Sequence, residues 1–230
     1  MNSVTWFFPT YIACLIVLLI DVHIDKKRNY YVPIKTFVSA MFVFGCIYFM
    51  YFAEKMEHAH YFMLAAIAFC MTGDVLLGFY QKKWKKRFLL SGMISFGLAH
   101  MLLLTYLYMG DSKFSIAQII VPVVLFGVTI GLIKGFDLKT GRMLIPTLIY
   151  SVLVTSFMTK SIMMLVMNNP LAKANLIMAL GGILFFVSDF ILLFLYFGHI
   201  RNRKSKGACH ILNLASYYLA VLLIVSTTLL

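Results

Sequence analysis

GGILFFVSDFILLFLYF, residues 181–197, decides the fold. Apart from Ser188 and Asp189 it is all glycine, aliphatic and aromatic. A helix apolar on every side is either buried in a large core or set in a membrane. With the apolar residues from 172 onward, this run exceeds the roughly 20 residues a hydrocarbon layer of about 30 Å requires. Yet it carries a carboxylate, which costs about 2.5–3.5 kcal/mol there on insertion scales. Residues 65–80, AAIAFCMTGDVLLGFY, repeat the anomaly with Asp74, and neither stretch holds a basic residue. A chain that keeps two carboxylates in such surroundings is expected to use them.

Composition widens the argument to the whole chain. Of 230 residues, 62% are hydrophobic and 12% charged, and the mean hydropathy is +0.93. A soluble domain is nearer 45–50% apolar and about 25% charged. The expected fold is therefore all-α, a polytopic membrane protein whose single transmembrane domain, 1–230, is a bundle of eight helices. Open sheets cannot satisfy their backbone in lipid. The eight runs are 4–20, 36–52, 61–79, 88–108, 116–133, 143–166, 172–197 and 209–229. Pro33 and Pro170 stand just before spans. No cleavable leader is read at the start, since MNSVTWFFPT has no basic segment. Cys14, Cys46, Cys70 and Cys209 lie in or at apolar runs and read as small core residues.

The net charge of +12 would suggest nucleic acid in a soluble protein. Here the charges collect in alternate loops, so no nucleic-acid partner is expected. Lys26, Lys27, Arg28 and Lys35 fall in loop 1; Lys82, Lys83, Lys85, Lys86 and Arg87 in loop 3. Lys134, Lys139 and Arg142 fall in loop 5, and Arg201, Arg203, Lys204 and Lys206 in loop 7. That is 16 on one side, against Lys55, Lys113, Lys160 and Lys173 on the other. The basic side is expected to be cytoplasmic in the cell (plasma or inner) membrane, with both termini outside. Trp6, Tyr48, Tyr51, Tyr80, Trp84, Tyr106 and Tyr196 read as interfacial belts.

Depth follows from a rise of about 1.5 Å per residue. Asp74 lies about 7–8 Å from the cytoplasmic end of its span, Asp189 and Tyr150 about 12 Å, and His100 about 18 Å. All four are placed to line one cavity open toward the cytoplasmic leaflet. Thr147, Ser151 and Thr155 share a face of span 6 with Tyr150 alongside, Asn213 and Tyr217 share one of span 8, and Ser91 and Ser95 pair in span 4. Each has a structural alternative: an interhelical hydrogen bond for the aspartates, a satisfied core histidine for His100, packing glue for the hydroxyl stripe. Asp21, Asp25, Asp111 and Asp137, near span ends, read as solvated. Glu54, Glu57, His58 and His60 cluster in one loop; a wet loop is the reading preferred to a metal site, and no metal or cofactor is expected.

In a low-dielectric pocket a carboxyl favours its protonated form, and a second carboxylate nearby reinforces this. Such a pair supplies one acid and one base, the division of labour that glycosidases apply to an acetal carbon. In a membrane it suits a lipid whose labile bond lies near the headgroup. No G-x-S-x-G elbow occurs. A zinc hydrolase would need several histidines at depth, and only His100 qualifies. The residues MTGD and SD depart from the intramembrane aspartyl protease pattern. The competing readings are a proton- or cation-coupled transporter of small molecules or lipids and a non-catalytic lipid-binding protein. A transporter should show inverted repeats and broken helices, with Gly181 and Gly182 the best candidate break. The two aspartates are 115 residues apart, half the chain, but His100 has no counterpart at that offset.

TGDVLL, GLAHMLLLTYLY, LIPTLIYSVLVTSFM, GGILFFVSDFILLF and SYYLAVLLI occur here in that order. By these pieces the chain resembles the lysoplasmalogenase (YhhN-like) family from span 3 onward. Val221 stands where that family often has Gln. The resemblance implies an eight-helix hydrolase of the vinyl-ether bond of lysoplasmalogen, a lysophospholipid, releasing a fatty aldehyde and a glycerophospho-base. It carries over Asp74, His100, Tyr150 and Asp189. Catalytic roles are expected for Asp74, Asp189 and His100, and substrate contacts for Tyr150, Asn213, Tyr217 and Ser151. Asp189, the deeper carboxyl, is expected to be the acid, and Lys82 or Arg201 to hold the phosphate. Partners are the lipid substrate and membrane lipids; the sequence does not determine an oligomeric state.

Overall fold

The computed structural model describes residues 4–24, 30–54, 57–83, 85–168, 172–200 and 202–230. Asp25, Lys26, Lys27, Arg28, Lys55, Trp84, Pro170 and Arg201, all named above, lie outside the described residues. Helices run in chain order as α1 (Phe7–Ile24), α2 (Tyr31–Phe52), α3 (His58–Lys83), α4 (Lys86–Gly110), α5 (Ala117–Gly135), α6 (Leu144–Met167), α7 (Lys173–Phe197) and α8 (Arg203–Ser226). Single 3-10 turns precede α6 and follow α8. No strand occurs among the described residues. The helices α2 to α8 are long and apolar enough to cross a membrane; α1 offers a shorter apolar stretch, Phe7–His23. The polytopic helical bundle read from the sequence is the fold.

Seven helices close a ring, in the order α1, α2, α3, α4, α6, α7, α8, with α8 returning to α1 and α2. The tightest pairs are α3 with α4 and α7 with α8, while α5 packs on α6 from outside. Lipid is as apolar as leucine, so packing and interhelical hydrogen bonds, rather than removal from water, hold such a ring together. Phe7 packs on Tyr11 and Phe49, and Phe42 on Tyr218, and all five are fully buried.

Several sequence boundaries move, each for a local reason. The helix α2 starts at Tyr31, not 36, because Pro33 occupies its first turn, where a missing N–H costs nothing. This takes Lys35 out of loop 1 and into the bundle, where it is buried. The helix α8 starts at Arg203, not 209, with Asn202 accepting from the Lys204 amide at 2.9 Å as its cap. Lys160, counted above as a loop lysine, is buried in α6 and 1% exposed. It donates to the backbone carbonyls of Asp111 at 2.6 Å and Lys113 at 2.9 Å, and lies over the Tyr108 ring at 4.3 Å. Asp111 is therefore not simply solvated: it accepts from Asn168 at 3.1 Å and from the Lys113 amide at 3.1 Å. Burial alone would raise its carboxyl, but these donors and the Lys160 ammonium outweigh that and hold it below its ordinary value.

Gly181 and Gly182 do not break α7, which runs unbroken to Phe197. They let it approach two neighbours. A Cβ on Gly181 would stand 2.8 Å from Ile224 Cγ1 of α8, and one on Gly182 2.3 Å from Ser161 Oγ of α6. Tyr80 and Tyr196 meet edge to face at 5.2 Å, and Gln81 donates to the Tyr196 hydroxyl at 3.2 Å.

Candidate active site

Asp189 reaches inward from α7 two turns before its C-terminal end at Phe197, and its side chain is 12% exposed. The Tyr150 hydroxyl, from α6, donates to Asp189 Oδ2 at 2.9 Å. His100 approaches from α4, with Nε2 at 3.9 Å from the same oxygen. The other ring nitrogen, Nδ1, lies 2.7 Å from the Phe96 carbonyl. A carbonyl only accepts, so Nδ1 carries the proton and Nε2 of the neutral ring presents a lone pair. That Nε2 is buried and makes no hydrogen bond among the described residues. Rings fix the imidazole on three sides: Phe185 at 4.5 Å, Tyr150 at 5.7 Å and Phe157 at 5.8 Å, all edge to face.

Asp189 and Tyr150 open onto a pocket of about 90 Å³ among α5, α6 and α7. Leu125, Val128, Phe186 and Phe190 make it mainly apolar, and Thr129, Thr147, Ser151 and Thr155 join Tyr150 and Tyr196 as its hydroxyl-bearing residues. Phe136 against Phe194 at 5.5 Å, and the Lys139 amide donating to the Phe197 carbonyl at 2.9 Å, tie the α5–α6 connection to the end of α7 beside it. Met93 and Tyr150 also border a second groove, wholly apolar apart from the tyrosine, on the α4–α6 face. Tyr150 thus stands between two apolar hollows with its hydroxyl on the carboxyl.

Asp74 belongs to a different group. Lys35 Nζ pairs with its Oδ1 at 2.9 Å, while Ser39 Oγ donates to Oδ2 at 2.7 Å and the Tyr217 hydroxyl at 2.8 Å. The Tyr218 hydroxyl is 2.8 Å from Ser39 Oγ, and Tyr11 donates to the Tyr218 carbonyl at 3.0 Å. The carboxylate is 1% exposed and joins α2, α3 and α8, with α1 one bond further on. Phe185 lies 5.4 Å from the Tyr217 ring and 4.5 Å from His100, so a chain of aromatic contacts links the two groups. The cavity expected to hold both carboxyls is thus divided: Asp189, Tyr150 and Ser151 border the pocket, and His100 backs it. Asp74 and Tyr217 do not line it. Asn213 clasps α8 to α7, donating to the Ser188 carbonyl at 2.8 Å and Oγ at 2.9 Å. Ser151 donates back to the Leu148 carbonyl at 2.8 Å.

Lys35 and Phe185 were missed in the sequence. Lys35 was legible in principle, because Pro33 signals a first helical turn and Lys35 and Ser39 are four apart on one face. Nothing in the chain singles out Phe185 among 21 phenylalanines. No three His, Cys, Asp or Glu side chains among the described residues converge to hold a metal.

Fold and site together define a polytopic helical membrane protein with an ionisable group walled inside its bundle. The YhhN family model matches residues 33–228, and the chain belongs to that family. The match takes in α2, earlier than the span 3 start read from the motifs, and so includes Lys35 and Ser39. No match to a curated protein or to a solved structure was found.

Proposed function

We propose that this protein hydrolyses the vinyl-ether bond of lysoplasmalogen-type lysolipids, with Asp189 as the acid. The observation that carries the reading is one carboxyl at the wall of an apolar pocket, held by Tyr150 and faced by the bare Nε2 of His100. A vinyl ether is cleaved by protonating its outer alkene carbon, so a proton must be delivered to carbon inside a dry site. The Asp189 carboxyl delivers it, and the neighbouring carbon becomes an oxocarbenium ion beside the carboxylate just formed. Preorganised negative charge at that point stabilises the developing cation. Water adds to the cation as His100 Nε2 takes its proton. The hemiacetal then collapses: the bond to the glycerol oxygen breaks, that oxygen takes the proton held by His100, the hemiacetal hydroxyl gives its proton to Asp189, and the fatty aldehyde leaves. Over the cycle one water is consumed and the acid is restored.

The surroundings support each part. Tyr150 keeps one oxygen of Asp189 engaged and leaves the other for the substrate. The apolar lining accepts an alkenyl chain. Exposed Arg142 precedes α6 at the end of the bundle where the headgroup would lie, and Lys82 ends α3 on the same side. Asp74, expected as a second catalytic carboxylate, has its charge taken up by Lys35, and in this reading it supports the wall behind Phe185. The same end of the bundle faces the cytoplasm in this reading. The test is aldehyde release from lysoplasmenyl lipid by purified protein in detergent, wild type against Asp189→Asn. Loss of turnover by more than about a thousandfold with an unchanged unfolding midpoint is expected. Near-normal turnover by the variant ends the proposal.

A further inference from the structure

Hydroxyls inside membrane helices usually bond back to their own helix. On α6, Ser151, Thr155, Thr159 and Ser161 each donate to a carbonyl three or four residues earlier, at 2.7–2.8 Å. Thr147 does not. Its residue is 5% exposed, and its Oγ1 is buried with no hydrogen-bond partner among the described residues. It stands in the wall of the pocket that Asp189 and Tyr150 border. A buried hydroxyl without a partner is destabilising, so its presence calls for an occupant that completes it.

We infer that Thr147 recognises the free glycerol hydroxyl of the lysolipid and makes the site selective for substrates with one chain. This rests on the reading of the pocket given above. Thr147 is three residues before Tyr150, so it lies about 4.5 Å nearer the headgroup end along α6. In a lysoplasmalogen the free hydroxyl lies a few bonds from the vinyl-ether carbon, on the headgroup side. With that carbon at Asp189 and the alkenyl chain among Leu125, Val128 and Phe190, the hydroxyl falls one helical turn toward the interface, beside Thr147. A second acyl chain there would remove the donor and crowd the wall. A site built to bond a hydroxyl rejects analogues lacking it, because its own polar group is then left unpaired.

The experiment uses Thr147→Val, which keeps the shape and removes the hydroxyl, and Thr147→Ser, which restores it. Turnover is measured on lysoplasmenyl lipid and on its 2-deoxy analogue. Binding is measured separately with a saturated 1-O-alkyl lysophospholipid, which has the same hydroxyl but no cleavable bond, and with the 2-deoxy form of that lipid. Wild type is expected to prefer the hydroxylated member of each pair. Thr147→Val is expected to raise KM for the hydroxylated substrate about five- to tenfold with kcat nearly constant, and to leave the deoxy substrate unaffected. Thr147→Ser restores the preference. Without lipid, Thr147→Val should unfold at or above the wild-type midpoint. A lower midpoint means that the hydroxyl already has a partner within the protein, and overturns the proposal. Equal losses on both members of a pair, or no loss, also overturn it. Selective binding of the uncleavable lipid without any aldehyde release sustains the Thr147 assignment and ends the hydrolase reading; absence of both binding and turnover ends both.

Discussion

Removing Asp74 should damage this protein through Lys35, and removing both should repair it. The Lys35 ammonium is 5% exposed and 2.9 Å from Asp74 Oδ1. Asp74→Asn leaves that ammonium without its counter-charge in the bundle, and Lys35→Met leaves the carboxylate with the hydroxyls of Ser39, Tyr217 and Tyr218. Breaking one side of a buried pair costs about 3–5 kcal/mol, whereas replacing both sides by neutral groups of similar volume is often close to neutral. For a chain of this length such a loss lowers the unfolding midpoint on the order of 10 °C. The double variant Lys35→Met/Asp74→Asn should recover most of it, a coupling of at least about 5 kcal/mol in the cycle. The assay is a double-mutant cycle of thermal unfolding in one detergent, with aldehyde release measured on the same samples. Additive losses would refute the idea that the pair is one structural unit. A double variant that unfolds like wild type but releases no aldehyde would refute the supporting role and return Asp74 to the chemistry.

Tyr150→Phe removes one donor to Asp189 and little packing, so kcat should fall about 10- to 100-fold while the midpoint stays within a few degrees. Gly182→Ala places a methyl 2.3 Å from Ser161 Oγ; a loss of about 1–3 kcal/mol is expected, read by denaturant titration, and Ser161→Gly in the same chain should recover part of it. Lys160→Met strands two carbonyls and removes the ammonium beside the Asp111 carboxylate, and should raise exchange of the amides between α4 and α5. Because the folded Asp111 carboxyl titrates below its ordinary 3.8, the stability it confers is full above that pH and is lost as pH falls through the lower folded value. Acid unfolding of wild type should therefore be steeper in that range than that of Asp111→Asn.

The chain by itself determined what its solvent is. Runs such as 172–197 are apolar all round, and a backbone in hydrocarbon has to satisfy itself within the helix, so class and helix number follow from length and composition. Asp74, Asp189, His100 and Tyr150 were also legible as positions, since a polar group in such a run is costly wherever it ends up. Their partners were not. The side on which Lys35 lands depends on a helix starting five residues early around Pro33, and a loop lysine and a buried counter-ion have the same sequence signal. Likewise Thr147, Ser151 and Thr155 form one stripe on a helical wheel and line a pocket that exists only because α5 and α7 flank α6, yet two of them bond to their own helix and Thr147 Oγ1 has no partner among the described residues. Only the closing of the ring decided that Asp74 would pair with Lys35 while Asp189 would border the pocket, because no local pattern records the order of the helices around the bundle.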